Sequence, residues 1–113
     1  MIACRRGDVI LVPFVFSDES GAKRRPALVL SSDKYHRNRQ EMIISAITSN
    51  TERILYGDFL IREWKKAGLL HASAATGVIR TIKQAMVERK LGRVTPADME
   101  GINSQLRKSL QLP

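Results

Sequence analysis

Three groups of side chains in this sequence could do chemistry together. Lys23, Arg24 and Arg25 stand just before the apolar stretch Pro26–Leu30, Thr48, Ser49 and Asn50 close the apolar stretch that begins at Met42, and Arg80-Thr81 interrupts a third. Guanidinium forks bind phosphate oxygens two at a time and stay charged at every relevant pH. Hydroxyl and amide donors beside them would suit a phosphodiester, and arginines could stabilise the extra negative charge of a pentacoordinate phosphorane. Each motif also has an ordinary reading taken singly. A Lys-Arg-Arg run is commonly a solvated anion patch, Thr-Ser-Asn after a strand is commonly a turn, and an arginine in a strand is commonly a surface cation. The chemistry therefore depends on folding that brings the groups together.

Other chemistries find less support. His36 and His71, the only two histidines, have no Cys or Glu at ligand spacing, so they read as surface or loop residues and no metal site is expected. No nucleophile-elbow, phosphate-loop or dinucleotide pattern occurs. Apart from Asp18-Glu19 the eleven acidic residues are scattered singly, with no hint of a paired-carboxylate site. No cofactor is expected.

The bulk numbers frame the partner. Nineteen basic against eleven acidic residues give a net charge of +8, which points to a polyanion, an anionic membrane surface or an acidic protein. Residues 1–50 hold 8 basic and 5 acidic side chains and residues 51–113 hold 11 and 6, so a positive patch must be assembled by folding and is not a tail. Cys4 is the only cysteine, which rules out an intrachain disulfide framework and fits a reducing cytoplasm. The longest apolar run, Val9–Phe16, is interrupted by Pro13 and is far short of the roughly 20 residues that span a bilayer. No signal peptide or membrane anchoring is expected.

At 113 residues the chain fits one domain, 1–113, with a packed core. The elements that must position the candidate groups read as five or six short strands. Val9–Phe16 is the first, with Pro13 marking an edge or bulge; Ala27–Leu30 is the second, entered from a basic loop. Met42–Asn50 is the third, the segment through Gly57 to Ile61 the fourth, and residues 77–94 supply two more. Residues 33–41 read as a polar loop. Arg62–Gly68 reads as a short helix stopped by Gly68. The terminal helix is the clearest element: Thr95 caps it, Pro96 and Asp98 suit its first turn, and Met99, Ile102, Leu106 and Leu110 fall on one face. The class is mainly β with α: a curved antiparallel sheet or small barrel closed by the last helix.

Read in order, "RRGDVILVPF", "SGAKRRPALVLSSD", "ISAITSN", "LLHAS", "IRTI" and "LGRVTPADM" resemble the MazF/PemK family of toxin endoribonucleases from about Arg6 to the terminal helix. That resemblance implies a small SH3-like antiparallel barrel with one short internal helix and a C-terminal helix. It also implies a cytoplasmic homodimer, metal-independent cleavage of single-stranded RNA to 2′,3′-cyclic phosphate and 5′-hydroxyl ends, and silencing by a cognate antitoxin. Arg25 matches the family's arginine before proline at the scissile phosphate, and Thr48 its strand-end hydroxyl. Ser20, Lys23, Arg24, Ser49, Asn50 and Arg80 become RNA contacts. Two departures stand out: the first loop carries Asp18-Glu19-Ser20-Gly21, and Thr76–Ile79 lacks the acidic residue that several members place before "RTI". The alternative is a noncatalytic nucleic-acid-binding module on the same barrel. A peptide-binding barrel, which needs an exposed aromatic groove, ranks behind both.

Overall fold

The computed structural model describes residues 2–14 and 23–113. The elements run β1 (Asp8–Phe14), β2 (Lys23–Val29), α1 (Asp33–Asn38), β3 (Glu41–Thr48), β4 (Phe59–Leu60), β5 (Ala74–Lys83), a 3₁₀ turn at Gln84–Met86, β6 (Arg89–Arg93) and α2 (Pro96–Leu110). The strands form one antiparallel sheet in the order β4-β5-β3-β2-β1-β6, curled into a half-barrel.

Alternation along the strands divides the core between the two faces of the sheet. Ile10, Val12, Ala27, Val29, Met42, Ile44 and Ala46 pack on one face with Cys4 and Val87. Val9, Leu28, Ile47 and Ala75 pack on the other with Ile61, Leu69, Val94 and Ile102, so α2 closes that side. Ile10, Leu28 and Ile44 are fully buried, each contributing about 1.5–3 kcal/mol of apolar transfer. Burial pushes the Cys4 thiol above its ordinary range, with the nearby Asp8 charge adding to the effect; this cysteine is a core residue.

The Gly7-Asp8 pair has a structural purpose. Gly7 adopts φ +98°, and Asp8, 2% exposed, accepts the Arg5 N–H at 2.8 Å and pairs with Arg93 at 2.9 Å and Lys90 at 3.2 Å. It staples the start of β1 to β6. Pro13 lies past the β1–β6 ladder, which ends at Leu11, so its missing N–H faces no strand on that side.

Four expectations need correction. Arg62–Gly68 is a series of turns, not a helix: the Asp98 carboxylate accepts the N–H groups of Arg62 (3.1 Å) and Glu63 (2.9 Å), and Gly68 takes φ +85°. The short internal helix lies instead at α1, within the stretch read as a loop, where the Ser32 side chain accepts the Tyr35 N–H. The fourth strand shrinks to Phe59–Leu60. The second starts at Lys23, so the basic triplet is strand and not loop, paired through Phe14↔Lys23, Pro13↔Arg24 and Val12↔Arg25. The terminal helix is as expected, with the Thr95 side chain accepting the Asp98 N–H.

His36 is half-buried on α1. Its Nδ1 faces the Cys4 carbonyl at 3.1 Å, which can only accept, so Nδ1 carries the proton and Nε2 meets the Ser31 hydroxyl at 2.6 Å. The buried Gln84 side chain donates to the carbonyls of His36, Arg39 and Glu41. Both residues tie α1 to the sheet.

Candidate nucleic-acid interface

The strand registers decide which candidate side chains meet. The β2–β3 ladder pairs Ala27 with Ala46 and begins just past Pro26, which has no N–H to donate. Continuing that register by two residues sets Arg25 opposite Thr48. Both are half-buried, and by alternation both lie on the sheet face of Ala27 and Ala46. Two groups separated by 22 intervening residues thus come to the ends of neighbouring strands.

Thr48 is held by the turn that follows it. Its Oγ1 accepts the Asn50 N–H at 3.1 Å, and the Asn50 side-chain oxygen accepts the Glu52 N–H at 3.4 Å. One lone pair of the hydroxyl is committed, and its proton can be donated to an incoming oxygen. The turn reading of Thr-Ser-Asn and the site reading are therefore compatible.

Beside this end of β2 opens a cleft of about 380 Å³. Its polar lining comes from Arg24, Arg25, Ser49, His71, Ser73 and Arg89, over a floor of Leu11, Ile47, Leu69 and Leu91. Arg24 is mostly exposed and pairs with Glu88 of the segment leading into β6. Gly68 and Gly92 shape the cleft's far wall: a Cβ on Gly92 would lie 2.3 Å from the Ala67 carbonyl oxygen, so the two segments meet backbone to backbone.

The remaining candidates lie farther out. Lys23 and Asn50 are exposed at their strand ends, and Ser49 lines the cleft. Arg80 is exposed on β5, paired with Ile44 where Thr48 is paired with Ala74. That offset of four β3 residues is about 13 Å at ~3.3 Å per residue, which sets the Arg80 backbone well along the sheet from the strand ends of Arg25 and Thr48. Ser20 and the Asp18–Gly21 run lie outside the described residues.

Sequence reasoning missed Asp58. The strand stretch Thr76–Ile79 carries no acid, but a carboxylate reaches it from another element: Asp58 Oδ1 accepts the Gly77 N–H at 2.9 Å, while Oδ2 accepts the Leu55 N–H at 2.9 Å. Here β5 departs from regular pairing with β3, and polar bonds replace the ladder. Ser45 Oγ donates to the Thr76 carbonyl at 2.6 Å and Thr76 Oγ1 to the Ala46 carbonyl at 2.7 Å. Gly57-Asp58 lies within the segment read as the fourth strand, and nothing local says where its carboxylate lands. Among the described residues no group of three or more His, Cys, Asp and Glu side chains is arranged to hold a metal ion, and no helix is long and apolar enough to cross a membrane.

A curled six-stranded antiparallel sheet closed on one face by a C-terminal helix is the fold this chain shares with MazF toxins. The chain belongs to the family described as PemK-like, MazF-like toxins of type II toxin-antitoxin systems, whose pattern it matches over residues 5–110. Among solved structures it is similar to a mycobacterial endoribonuclease in complex with its cognate antitoxin, with 26% identity, 98% of each chain covered and a TM-score of 0.76. A second mycobacterial endoribonuclease is 25% identical over 100% of this chain and 96% of its own, with a TM-score of 0.77. MazF in a MazE–MazF structure from Deinococcus radiodurans shares the fold at a TM-score of 0.80 and 16% identity, with 100% of both chains covered. No curated protein sequence matches the chain significantly.

Proposed function

We propose that this chain is a toxin endoribonuclease that cleaves single-stranded RNA without a metal ion, acting in the cytoplasm as a homodimer until a cognate antitoxin covers its RNA surface. What supports the reading is the Ala27↔Ala46 pairing, whose continuation by two residues would set Arg25 opposite Thr48, in a +8 chain of the MazF-like toxin family. Family membership and the mycobacterial endoribonuclease bound to its antitoxin support the toxin assignment and the partner.

In this reading the 2′-oxygen of one nucleotide forms a bond to the adjacent phosphorus, its proton passing to solvent, while the bond from phosphorus to the 5′-oxygen breaks and that oxygen gains a proton. The products are a 2′,3′-cyclic phosphate and a 5′-hydroxyl. Arg25 holds two phosphate oxygens and stabilises the charge that builds on the phosphorane, and Thr48 donates its hydroxyl proton to the same phosphate. An arginine is a weak proton donor at its ordinary pKa, so its main contribution is electrostatic and not acid catalysis. Arg24, Lys23, Ser20, Ser49, Asn50 and Arg80 contact the flanking strand, Arg80 at a different phosphate.

One observation favours a second reading, a noncatalytic binding module. The only carboxylate that reaches Thr76–Ile79 among the described residues is Asp58, and both its oxygens already accept backbone N–H groups. A 2′-deoxy substitution at a mapped cleavage site separates the readings. The enzyme should cut the all-ribose RNA at discrete positions and leave the substituted one bound but intact; a module that only binds should cut neither.

A further inference from the structure

We propose that Tyr56 is a stacking platform for an unpaired base of the RNA strand whose scissile phosphate sits at Arg25 and Thr48; the inference rests on the endoribonuclease reading and adds a binding subsite to it. Tyr56 is 78% exposed, whereas Tyr35, Phe59 and Trp64, the other aromatic residues with described side chains, are half-buried. A ring so placed adds little to the core.

The ring is nonetheless carried on a fixed mount. The Leu55 N–H donates to Asp58 Oδ2 and the Asp58 N–H to the Leu55 carbonyl, at 2.9 and 3.0 Å, closing a tight turn around Tyr56 and Gly57. The Gly77 N–H donates to Asp58 Oδ1 at 2.9 Å, which docks that turn on β5. A Cβ on Gly77 would lie 3.4 Å from the Tyr56 carbonyl oxygen and 3.7 Å from the Gly57 Cα, so loop and strand are in close contact. Asp58 is accordingly a positioning residue for Tyr56, which gives its two committed oxygens a purpose.

The place of the mount fits a strand of RNA. The close approach of the Tyr56 carbonyl oxygen to Gly77 sets the turn beside the middle of β5, next to Val78, itself 40% exposed. Thr48 pairs with Ala74 and Ile44 with Arg80, so along β5 the partner of Thr48, the Gly77 position that carries the Tyr56 turn, and Arg80 follow in that order. Cations alternating with an aromatic face is the arrangement that holds single-stranded nucleic acid, the cations on the backbone and the ring on a base. Stacking accepts any base, so Tyr56 supplies affinity at one position and does not set the cleavage motif.

The test uses the full-length chain and a single-stranded RNA containing one cleavage site. Dissociation constants are measured on its noncleavable form, 2′-deoxy at that site, and cleavage is measured on the all-ribose form. Base stacking of about 1–3 kcal/mol corresponds to a 5- to 150-fold loss of affinity in Tyr56→Ala, with Tyr56→Phe staying near wild type because the ring is kept. An abasic substitution at one flanking position should weaken wild type comparably and add nothing to the loss in Tyr56→Ala. Unchanged affinity in Tyr56→Ala, or equal losses in the alanine and phenylalanine variants, overturns the proposal. So does a loss that accompanies a changed oligomeric state in size-exclusion chromatography, which would assign the ring to a protein interface. Wild-type protein that binds the RNA but never cleaves it removes the enzyme reading and leaves the stacking result standing on its own; wild-type protein that binds no RNA overturns both.

Discussion

Replacing Arg25 with alanine should lower the rate of RNA cleavage by about a hundred- to a thousandfold, the usual cost of removing a group aimed at charge that develops in the transition state. Binding should fall far less, because the positive charges of Lys23, Arg24 and Arg80 remain. Arg25→Lys is the sharper comparison. Lysine keeps the charge but loses the planar fork, so a site that grips two phosphate oxygens should still lose at least about tenfold, whereas a surface that only needs positive charge should lose almost nothing. Thr48→Ala removes one neutral donor and should cost about two- to tenfold, since a hydrogen bond of that kind is worth about 0.5–1.5 kcal/mol. Single-turnover cleavage of one oligonucleotide by the three variants measures all of this. Folded Arg25→Ala protein cutting at the wild-type rate would remove Arg25 from the site.

The largest effect on stability should come from Asp98. Its carboxylate is 1% exposed and is the acceptor for the Arg62 and Glu63 N–H groups, joining the first turn of α2 to the Arg62–Gly68 segment. Asp98→Ala leaves both donors without their acceptor. At about 1.5–3 kcal/mol for each hydrogen bond to a charged group, the loss should be near 3–5 kcal/mol, a large fraction of the stability of a domain this size. Asp98→Asn keeps one oxygen and should fall between. Glu100→Ala, an exposed change on the same helix, should stay within about 0.5 kcal/mol. Urea unfolding of the three variants checks the order, and a loss under 1 kcal/mol for Asp98→Ala would contradict the assigned role.

The same aspartate shows why part of the fold was readable from the sequence and part was not. Its place in the first turn after Thr95 and Pro96, with apolar residues following at helical spacing, announces α2 through local signals alone. Its long-range bonds to residues 62 and 63 announce nothing, and they turn a stretch of good helix formers into a series of turns. Gly68, read as a helix stop, takes its positive φ where its backbone meets Leu91: a Cβ there would lie 2.0 Å from the Leu91 oxygen. α1 was missed for the opposite reason. It has no buried residue, hence no apolar periodicity, and only Ser32 marked its start.

The candidate site divides in the same way. The strands that carry Arg25 and Thr48 follow from their β-branched composition, but the pairing that makes the two residues neighbours is a register between strands, which no local pattern encodes. Their roles come from resemblance to a family. The basic triplet looked like a loop because its neighbours are polar; pairing with Val12–Phe14 made it strand. Asp58 was invisible because its partner, Gly77, lies 19 residues away.

The most direct test incubates purified protein with a long single-stranded RNA in EDTA, with Arg25→Ala protein in parallel, and determines the chemistry of the new ends. Discrete cuts bearing 2′,3′-cyclic phosphate and 5′-hydroxyl groups, absent with the variant, are the expected result. RNA that stays intact, or cuts that persist with Arg25→Ala, would contradict the assignment of Arg25 and Thr48 as the groups that act on the scissile phosphate.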